Sequence, residues 1–516
     1  TSAELPTAGR RSRRGRRRAW VAAGVVLAVV GSAGAGFAAG TVVGGGGTQP
    51  EDVLPDSLVA YIDVDLDTAA QQKINLVRLL GRFPQVEEQY GREPDIRAVV
   101  VDWLVQGTEL AEADVSEWIG DRVGAGLSWD AEAQALTPVA AISVTDEDEA
   151  VADLGRILEP DQIAESDGYL VLTGDLFGAL DDLDLDGLVG ADVPGAQTAA
   201  EVVDAGQAAP LAQSAAFTNV FDHLDDGLLS MYVDSAGIAA AGEQIAGALG
   251  LGTPALSEAL AGAADAGQAG AVLRAEPSAL ELLAWTSTGP PSGAAPGELM
   301  ATLPESTLLA VELTGGSALV GDRWTKTIED AQLDDLALDE LDRTLAELEA
   351  QYGITLPDDL QTLLGEDVVM AVDGEALLTG IPGIGLRSVT DPAAGADLAQ
   401  TIQNSLAELT GGFGITALGT ADGMVVASTD DYAAELEAGD GALGLDPTYQ
   451  SALPDGADAT SLVWADLSAV RGFVALAAPE SAGIVEPLEA FGATLSSDDG
   501  GSLLRARLVF RDASDS

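Results

Sequence analysis

The sequence predicts an α+β protein with a single N-terminal transmembrane helix, followed by an ectodomain of two duplicated lobes. Three observations support this prediction: an uncharged apolar stretch near the N-terminus, short segments in which apolar and polar residues alternate, and sequence blocks that recur in the same order. Strands with one apolar face are typical of antiparallel or mixed sheets. We therefore expect such sheets in both lobes, accompanied by amphipathic helices.

The N-terminal stretch has the pattern of a membrane anchor. Residues 1–18 are basic, with seven arginines between Arg10 and Arg18, and residues 19–43 carry no charge. About 20 apolar residues cross a bilayer, and flanking basic residues mark the cytoplasmic side. We therefore expect localisation to the cell membrane, with the N-terminus cytoplasmic and the C-terminal ectodomain extracytoplasmic. The alternative is a cleaved signal peptide with its cleavage site near residues 33–35.

Small residues recur at every fourth position of this predicted helix. Such a stripe lets two helices pack closely, and it predicts a homodimer formed through the transmembrane segment. The competing interpretation is that Gly and Ala are simply abundant here. The residues of the stripe are Gly24, Ala28, Ser32, Gly36, Gly40 and Gly44.

The charge and the composition exclude several classes of function. The formal net charge is −61, and the chain after residue 46 contains 16 basic and 83 acidic side chains, a balance of −67. Such a surface repels nucleic acids and anionic lipid headgroups, so no nucleic-acid partner is expected. The chain has no cysteine and one histidine, His223. Thiol catalysis, disulfides, a multi-histidine zinc site and a serine–histidine triad are therefore excluded.

A strand–helix unit begins at Leu54 and recurs along the chain. Apolar residues alternate with tyrosine and aspartates between Leu58 and Asp67, the period-two pattern of a half-buried strand. A helix is predicted to follow as far as Arg82. The strand pattern returns three times with an acid at the matching position. The four acids are Asp63, Asp234, Glu312 and Asp466.

Other blocks also occur in the same order in both halves. WIGDRVGAGL at 118–127 matches LLGEDVVMAV at 363–372, and SVTD occurs at both 143–146 and 388–391. Chance similarity has no reason to be collinear, so the order predicts a tandem duplication. The predicted segments are a basic cytoplasmic segment 1–18, a transmembrane helix 19–43, a Gly-rich linker 44–53, lobe 1 at 54–288, a Pro/Gly linker 289–302, lobe 2 at 303–512 and a tail 513–516.

Several of these runs resemble an actinobacterial membrane-anchored family of unknown function, DUF 3352. The resemblance begins with LPDSLVAYIDVDLD at 54–67 and QQKINLVRLLGRFPQ at 71–85. It continues with WIGDRVG at 118–124, PVAAISVTDED at 138–148 and LPDGADATSLVWADLSA at 453–469. The resemblance implies a single-pass, membrane-anchored extracytoplasmic protein without an established activity. It supplies no catalytic or binding residues.

The three aspartates at positions 63, 65 and 67 are a first candidate for metal binding. They lie on one face of the predicted strand, where a divalent cation could bridge them. Alternate side chains on a strand are roughly 6–7 Å apart, which is too wide for two carboxylates to share one ion without bending. We therefore interpret them as acids on a solvent-facing strand that precedes a helix N-terminus.

A second candidate is the run DLDLDG, in which Asp182, Asp184 and Asp186 match the first ligands of an EF-hand calcium loop. The match fails at the twelfth position, where Val193 stands in place of the bidentate glutamate. We retain the three aspartates as a calcium candidate. No catalytic residue and no other cofactor are predicted.

The sequence favours a non-enzymatic binding or scaffold protein of the cell envelope. Its expected partners are the membrane, through one helix, and an envelope protein, a lipid or a cell-wall component. Two alternatives remain: a hydrolase that uses paired carboxylates, and a carrier of a hydrophobic ligand between the lobes. Two acids with raised pKa values in a deep pocket would favour the hydrolase, a large apolar cavity the carrier, and a broad exposed apolar patch the binding protein.

Overall fold

A computed structural model of the chain shows one extended sheet with helices on both faces. The structure describes residues 48–65, 70–83, 101, 105, 110, 112–174, 196–242, 267–288, 296–330, 335–374, 383–409, 415–469, 471, 474, 482–498 and 500–511. Every structural statement below concerns these residues.

Sixteen strands form a single hydrogen-bonded sheet in the described residues, and every neighbouring pair is antiparallel. The order across the sheet is β12-β13-β11-β10-β9-β14-β15-β16-β8-β7-β6-β1-β2-β3-β5-β4. The strands are β1 Leu58–Asp65, β2 Ile119–Asp130, β3 Ala135–Val144, β4 Ile163–Ser166, β5 Tyr169–Thr173, β6 Leu229–Asp234, β7 Gln268–Ala275, β8 Ala279–Thr286, β9 Thr307–Thr314, β10 Asp367–Asp373, β11 Ile384–Val389, β12 Thr416–Gly419, β13 Gly423–Ala427, β14 Ser461–Asp466, β15 Leu488–Asp498 and β16 Gly501–Phe510.

The described helices vary from single turns to 18 residues. They are α1 Pro50–Val53, α2 Ala70–Leu80, α3 Glu112–Trp118, α4 Glu147–Leu154, α5 Ala199–Ala208, α6 Ala215–Phe221, α7 Ser235–Ala240, α8 Gly316–Asp330, α9 Asp335–Tyr352, α10 Asp358–Leu364, α11 Pro392–Leu409, α12 Asp430–Ala438, α13 Pro447–Ala452 and α14 Ala482–Val485. Residues 50–53 form helix α1, although the predicted linker included them.

The predicted fold class, with two lobes that each have their own sheet, is wrong. The last strand of the first half, β8, pairs along its whole length with the last strand of the second half, β16. Its register runs from Ala279 opposite Val509 to Thr286 opposite Ser502. This pairing gives hydrogen-bond partners to two strands that would otherwise be sheet edges. The two halves therefore share one sheet.

The strand order of the second half repeats that of the first. Starting from the junction, the order β8-β7-β6-β1-β2-β3-β5-β4 corresponds to β16-β15-β14-β9-β10-β11-β13-β12. The register also corresponds, because the first strand of each half has an irregularity at the same place. It lies between Leu58 and Ala60 in β1 and between Thr307 and Leu309 in β9. The blocks that match in sequence therefore fall on matching strands.

Helices cover the two faces of the sheet differently. On the first face, here called face A, the cores of the two halves lie side by side; α1, α5 and α6 pack on the first half, and α12 and α13 on the second. On the opposite face, face B, α3 and α4 cover the outer strands of the first half and α11 those of the second. Helix α2 covers the centre of face B, with Leu79 against Phe510.

The prediction of an N-terminal transmembrane helix is corrected by the structure, and with it the membrane, single-pass and extracytoplasmic assignments. No helix in the described part of the chain is both long and apolar enough to cross a bilayer. The longest, α9 and α11, have 18 residues, and α9 carries charges along its length, as in its DELDR run. The predicted span at 19–43, its stripe of small residues and the basic segment 1–18 lie outside the described residues.

Candidate interaction surface

The aspartates that the sequence selected as possible metal ligands are only partly described. Asp63 and Asp65 lie on face A of β1, whereas Asp67 and the calcium candidates Asp182, Asp184 and Asp186 lie outside the described residues. No group of three or more Asp, Glu, His or Cys side chains that could hold a metal ion occurs among the residues the structure covers. The calcium site therefore stays a prediction.

Asp63 is not the solvent-facing acid that the sequence predicted. Helix α1 packs over this part of β1, and the Tyr61 hydroxyl donates a hydrogen bond of 2.8 Å to Glu51 Oε2. Burial is the largest influence on Asp63 and raises its pKa well above the ordinary value, and the nearby Glu51 carboxylate raises it further. Burial also raises the pKa of Glu51. The first half thus holds two desolvated carboxyl groups, Glu51 on α1 and Asp63 on β1.

The second half has a carboxyl pair at the matching strand position. Glu312, the counterpart of Asp63, is 1% exposed. Its Oε1 accepts the Leu299 amide at 2.8 Å and its Oε2 accepts the Met300 amide at 2.7 Å. Burial, and after it the charge of Asp367, raises the pKa of Glu312 to about 8. Burial also raises the pKa of Asp367, whose Oδ2 accepts the Glu298 amide.

The geometry of the Glu312 pair indicates a structural role, because the Glu312 side chain holds the backbone at Leu299 and Met300 in place. Both carboxylate oxygens are already bonded to backbone amides at the start of the 3₁₀ turn Met300–Thr302. A Cβ on Gly297 would lie 2.2 Å from Glu312 Oε1, so the backbone closes over the carboxyl group. A general acid or base must reach a substrate proton within hydrogen-bond distance. Here the chain itself occupies that position.

The other two recurring acids have a different role. Asp234 ends β6 and accepts bonds from the Ala236 and Gly237 amides, so it caps α7. Asp466 ends β14 and accepts bonds from the Ser468 and Ala469 amides in the same way. Side-chain oxygens at these positions satisfy amides that have no partner inside the helix. These two acids are therefore helix caps.

A buried ion network lies at the junction of the halves on face A. Glu281 of β8 is 3% exposed, and its carboxylate contacts Arg505 at 3.1 Å, Arg507 at 3.5 Å and Arg274 at 3.7 Å. Arg505 also contacts Asp455, and Arg274 also contacts Asp225. Buried charges need partners of opposite sign, and each arginine has one. The network joins β7, β8 and β16, and thus the two halves.

The largest group of exposed apolar side chains among the described residues lies on face B of the second half. Four large apolar side chains are exposed there, on three adjacent strands. Their exposed fractions are 41% for Leu309 and 38% for Val311 on β9, 54% for Met370 on β10 and 53% for Ile384 on β11. Apolar side chains of this size are usually buried in a sheet that has helices on both faces.

These four side chains form one continuous surface, which we call the open face. Cross-strand pairing places Val311 beside Met370 and Leu309 beside Val372, and Val372 in turn beside Ile384. The partly buried residues that extend the surface are Leu386 of β11 and Val463 and Ala465 of β14. The open face lies on the strands between those covered by α11 and those near α2.

Burial along β9 is the reverse of the usual pattern. Its polar residues Thr307, Glu312 and Thr314 are buried, whereas Leu309 and Val311 are exposed. A strand with one covered face ordinarily turns its apolar side chains toward that cover. In β9 the side chains on face A are held by the hydrogen bonds of Glu312 and by packing around Ala310. The more apolar side is left to solvent.

The first half has no equivalent surface among its described residues. The positions that match Leu309 and Val311 are Ala60 and Ile62, and both are partly buried. The position that matches Met370 is Ala125, which packs at the margin of the core beneath α3 and α4. The open face therefore distinguishes two halves that otherwise share a strand order.

The sequence did not predict this surface. β10 reads DVVMAVD and is apolar on both faces, so periodicity cannot show which face is uncovered. The available signal is a difference between the halves: Leu309 and Met370 replace Ala60 and Ala125 at matching positions. Larger apolar residues on one copy alone would have indicated a surface with a use of its own.

The chain was compared with family models, with characterised proteins and with solved structures, and none of the three comparisons gave a match. The resemblance to DUF 3352 therefore stays a prediction.

Proposed function

We propose that this chain is a non-enzymatic binding protein that holds a partner protein on its open face. The observation that carries the proposal is the exposure of Leu309, Val311, Met370 and Ile384 on adjacent strands in direct register. Exposing this apolar surface to water is unfavourable. A partner that covers it gains about 25 cal/mol for each Å² of apolar surface that is buried. Contiguous apolar patches on a protein surface mark interaction sites for the same reason.

The dimensions of the open face suit the apolar core of an interface. Four strands spaced about 4.8 Å apart, with two side-chain rows about 7 Å apart, give an apolar area on the order of 200–300 Å². A specific interface buries about 800 Å² on each partner, with an apolar centre and a polar rim. Met370 and Val311 would lie at that centre, where a few well-packed side chains provide most of the affinity.

The carboxyl pairs support the binding function more than a hydrolase. Both oxygens of Glu312 accept hydrogen bonds from the backbone, and Glu51 accepts a hydrogen bond from the Tyr61 hydroxyl. Glycosidase carboxyl groups need a space of about 5–9.5 Å between them, open to a sugar. In the Glu312 pair the amides of Leu299 and Met300 take the place of a substrate.

The test is site-specific crosslinking in the cell that makes the protein. A photoreactive amino acid at position 370 should give a discrete protein adduct. Ile384→Glu should reduce that adduct at least about tenfold, because a partner must then desolvate a carboxylate at a cost of several kcal/mol. The matched control is Ile74→Glu, since Ile74 is 52% exposed against 53% for Ile384.

The control should leave the adduct unchanged, because both variants add the same charge to an equally exposed isoleucine. An adduct that survives Ile384→Glu and Ile74→Glu equally would show that the open face is not the binding site. The absence of any protein adduct from position 370, with the variant folded, would also contradict the proposal.

A further inference from the structure

We infer that the occupant of the open face is a cationic amphipathic helix of the partner protein. The inference rests on the proposed function, since it names the chemistry of the partner that the open face binds. Three observations carry it: the absence of charge on the open face, acids at its borders, and its size.

The open face itself carries no charge. Its side chains are the four exposed ones and the partly buried Val372, Leu386, Val463 and Ala465 beside them, and all are apolar. The single basic residue on these four strands, Arg387, projects on face A and pairs with Asp422 at 2.9 Å. A partner's contact surface must therefore be apolar as well, because an unpaired charge placed here would lose its hydration without compensation.

The borders of the open face are acidic. Within two residues of the ends of its four strands, the described chain contains acids and no lysine or arginine. The acids just beyond the strand ends are Glu305, Glu366 and Asp391, and all three are exposed. The formal charge of −61 adds a long-range field of the same sign. Potentials across an interface are complementary, so the partner should carry cations around its apolar contact.

The charge also argues against a second copy of this chain as the occupant. Two chains of −61 each repel one another on approach, and the acidic borders of the open face would meet acidic borders. Screening at physiological ionic strength acts over about 8 Å, so charges at the edge of a contact are still felt. A cationic partner is attracted over the same distances.

The size fits a single helix. A side-chain surface about 14 Å across is covered by about ten helical residues at 1.5 Å each. An amphipathic helix presents apolar residues at positions i, i+3, i+4 and i+7 as one stripe, which can seat on the two rows of the open face. Lysine and arginine on the flanks of that helix would then reach toward Glu305 and Glu366.

The experiment compares three peptides of about 18 residues, a length that can hold a helix in water. They share one leucine stripe and carry lysine, glutamine or glutamate elsewhere. Fluorescence anisotropy with the full chain should show the lysine peptide binding at least about tenfold more tightly than the glutamine peptide at low salt, with the advantage shrinking in ~300 mM NaCl. The glutamate peptide should bind weakest.

The variants locate the contact. Ile384→Glu should abolish binding of the lysine peptide, whereas Ile74→Glu should not. Both changes make the chain more negative, so non-specific attraction of the cationic peptide should rise equally in both variants. Only Ile384→Glu should weaken binding at the open face. Glu305→Gln combined with Glu366→Gln should reduce the preference for lysine over glutamine and leave binding of the glutamine peptide intact.

The remaining outcomes separate this inference from the proposed function. Equal binding of the lysine and glutamine peptides, lost with Ile384→Glu, would overturn the cationic partner and leave a protein-binding open face. Binding of phosphatidylcholine vesicles that is lost with Ile384→Glu would assign the surface to lipid and overturn the inference. Binding of the lysine peptide that Ile384→Glu does not weaken would also overturn it, while the crosslinking result would still decide the function.

Discussion

Acids at matching positions of the chain do different work, and their surroundings explain the difference. Asp234 and Asp466 end their strands and cap the following turn of helix. Asp63 and Glu312 lie within their strands, where burial raises their pKa values. Acidic side chains therefore serve as helix caps in one place and as desolvated carboxyl groups in another.

Glu312 predicts a specific dependence of stability on pH. Its pKa rises from an ordinary value of 4.5 to about 8 on folding. Between these two values the folded chain binds more protons at Glu312 than the unfolded chain, so the free energy of unfolding falls as pH rises. The slope from this one group approaches about 1.4 kcal/mol per pH unit.

Glu312→Gln should flatten that slope. Glutamine accepts only one of the two backbone amides, so the variant should be about 1 kcal/mol less stable than the parent chain at pH 5. The deficit should shrink or reverse at pH 8, where the parent holds an ionised Glu312 beside Asp367. Urea unfolding at several pH values measures both effects, with Glu305→Gln as an exposed control. Parallel stability curves for the parent and Glu312→Gln would contradict the assignment.

The sequence located β1 correctly and misjudged its orientation. Alternation predicted a strand from Leu58, and the structure has one over Leu58–Asp65. The side with Tyr61 and Asp63 was expected to face solvent, yet Tyr61 is 3% exposed. Alternation reveals that a strand has two unlike faces, but the covering helix α1 decides which face is buried. That helix lies in a stretch assigned to a linker, so its effect could not be anticipated.

At the scale of elements, the short helix α13 depends on its N-cap. Asp446 accepts bonds from the Thr448 and Tyr449 amides at 2.6 and 3.0 Å. The helix carries Tyr449 into the core, where its ring lies 5.4 Å from that of Trp464. A helix of six residues has little stability of its own, so the cap and the packing determine whether it forms.

Asp446→Ala should lower the free energy of unfolding by about 1 kcal/mol, the usual cost of losing an acidic N-cap. The matched control is Asp440→Ala, because Asp440 is exposed and lies in the connection between α12 and α13. That change should stay within about 0.5 kcal/mol. Chemical denaturation with equal m-values measures the difference, and equal effects of the two changes would show that α13 does not need its cap.

For the molecule as a whole, the matched blocks indicated two related halves, but nothing in them indicated how the halves meet. Strands β8 and β16 have an unremarkable alternation, and their pairing depends on contacts between residues more than 200 positions apart, such as Arg505 with Glu281. Such long-range pairings leave no local trace in a single sequence. Separate lobes were therefore the natural prediction, and the shared sheet could not be foreseen.

The charge of −61 predicts that salt stabilises the molecule. Acids spread over a compact surface repel one another, and folding brings them closer together than they are in the unfolded chain. Raising NaCl from ~0.05 to ~0.5 M shortens the screening length and should raise Tm by at least about 2 °C. Differential scanning calorimetry measures the shift, and tetramethylammonium chloride separates screening from sodium binding. A Tm that falls with both salts would contradict it.

The junction of β8 with β16 also has a consequence for self-assembly in crowded solution. Among the described strands it leaves two at the outer edges of the sheet, β4 and β12, and each is four residues long. A long unpaired edge is a template on which another chain can add a strand and start a fibre. The long strands β15 and β16 lie at the centre of the sheet and the shortest strands lie at its edges. Another chain therefore finds few unpaired backbone groups with which it could form an added strand.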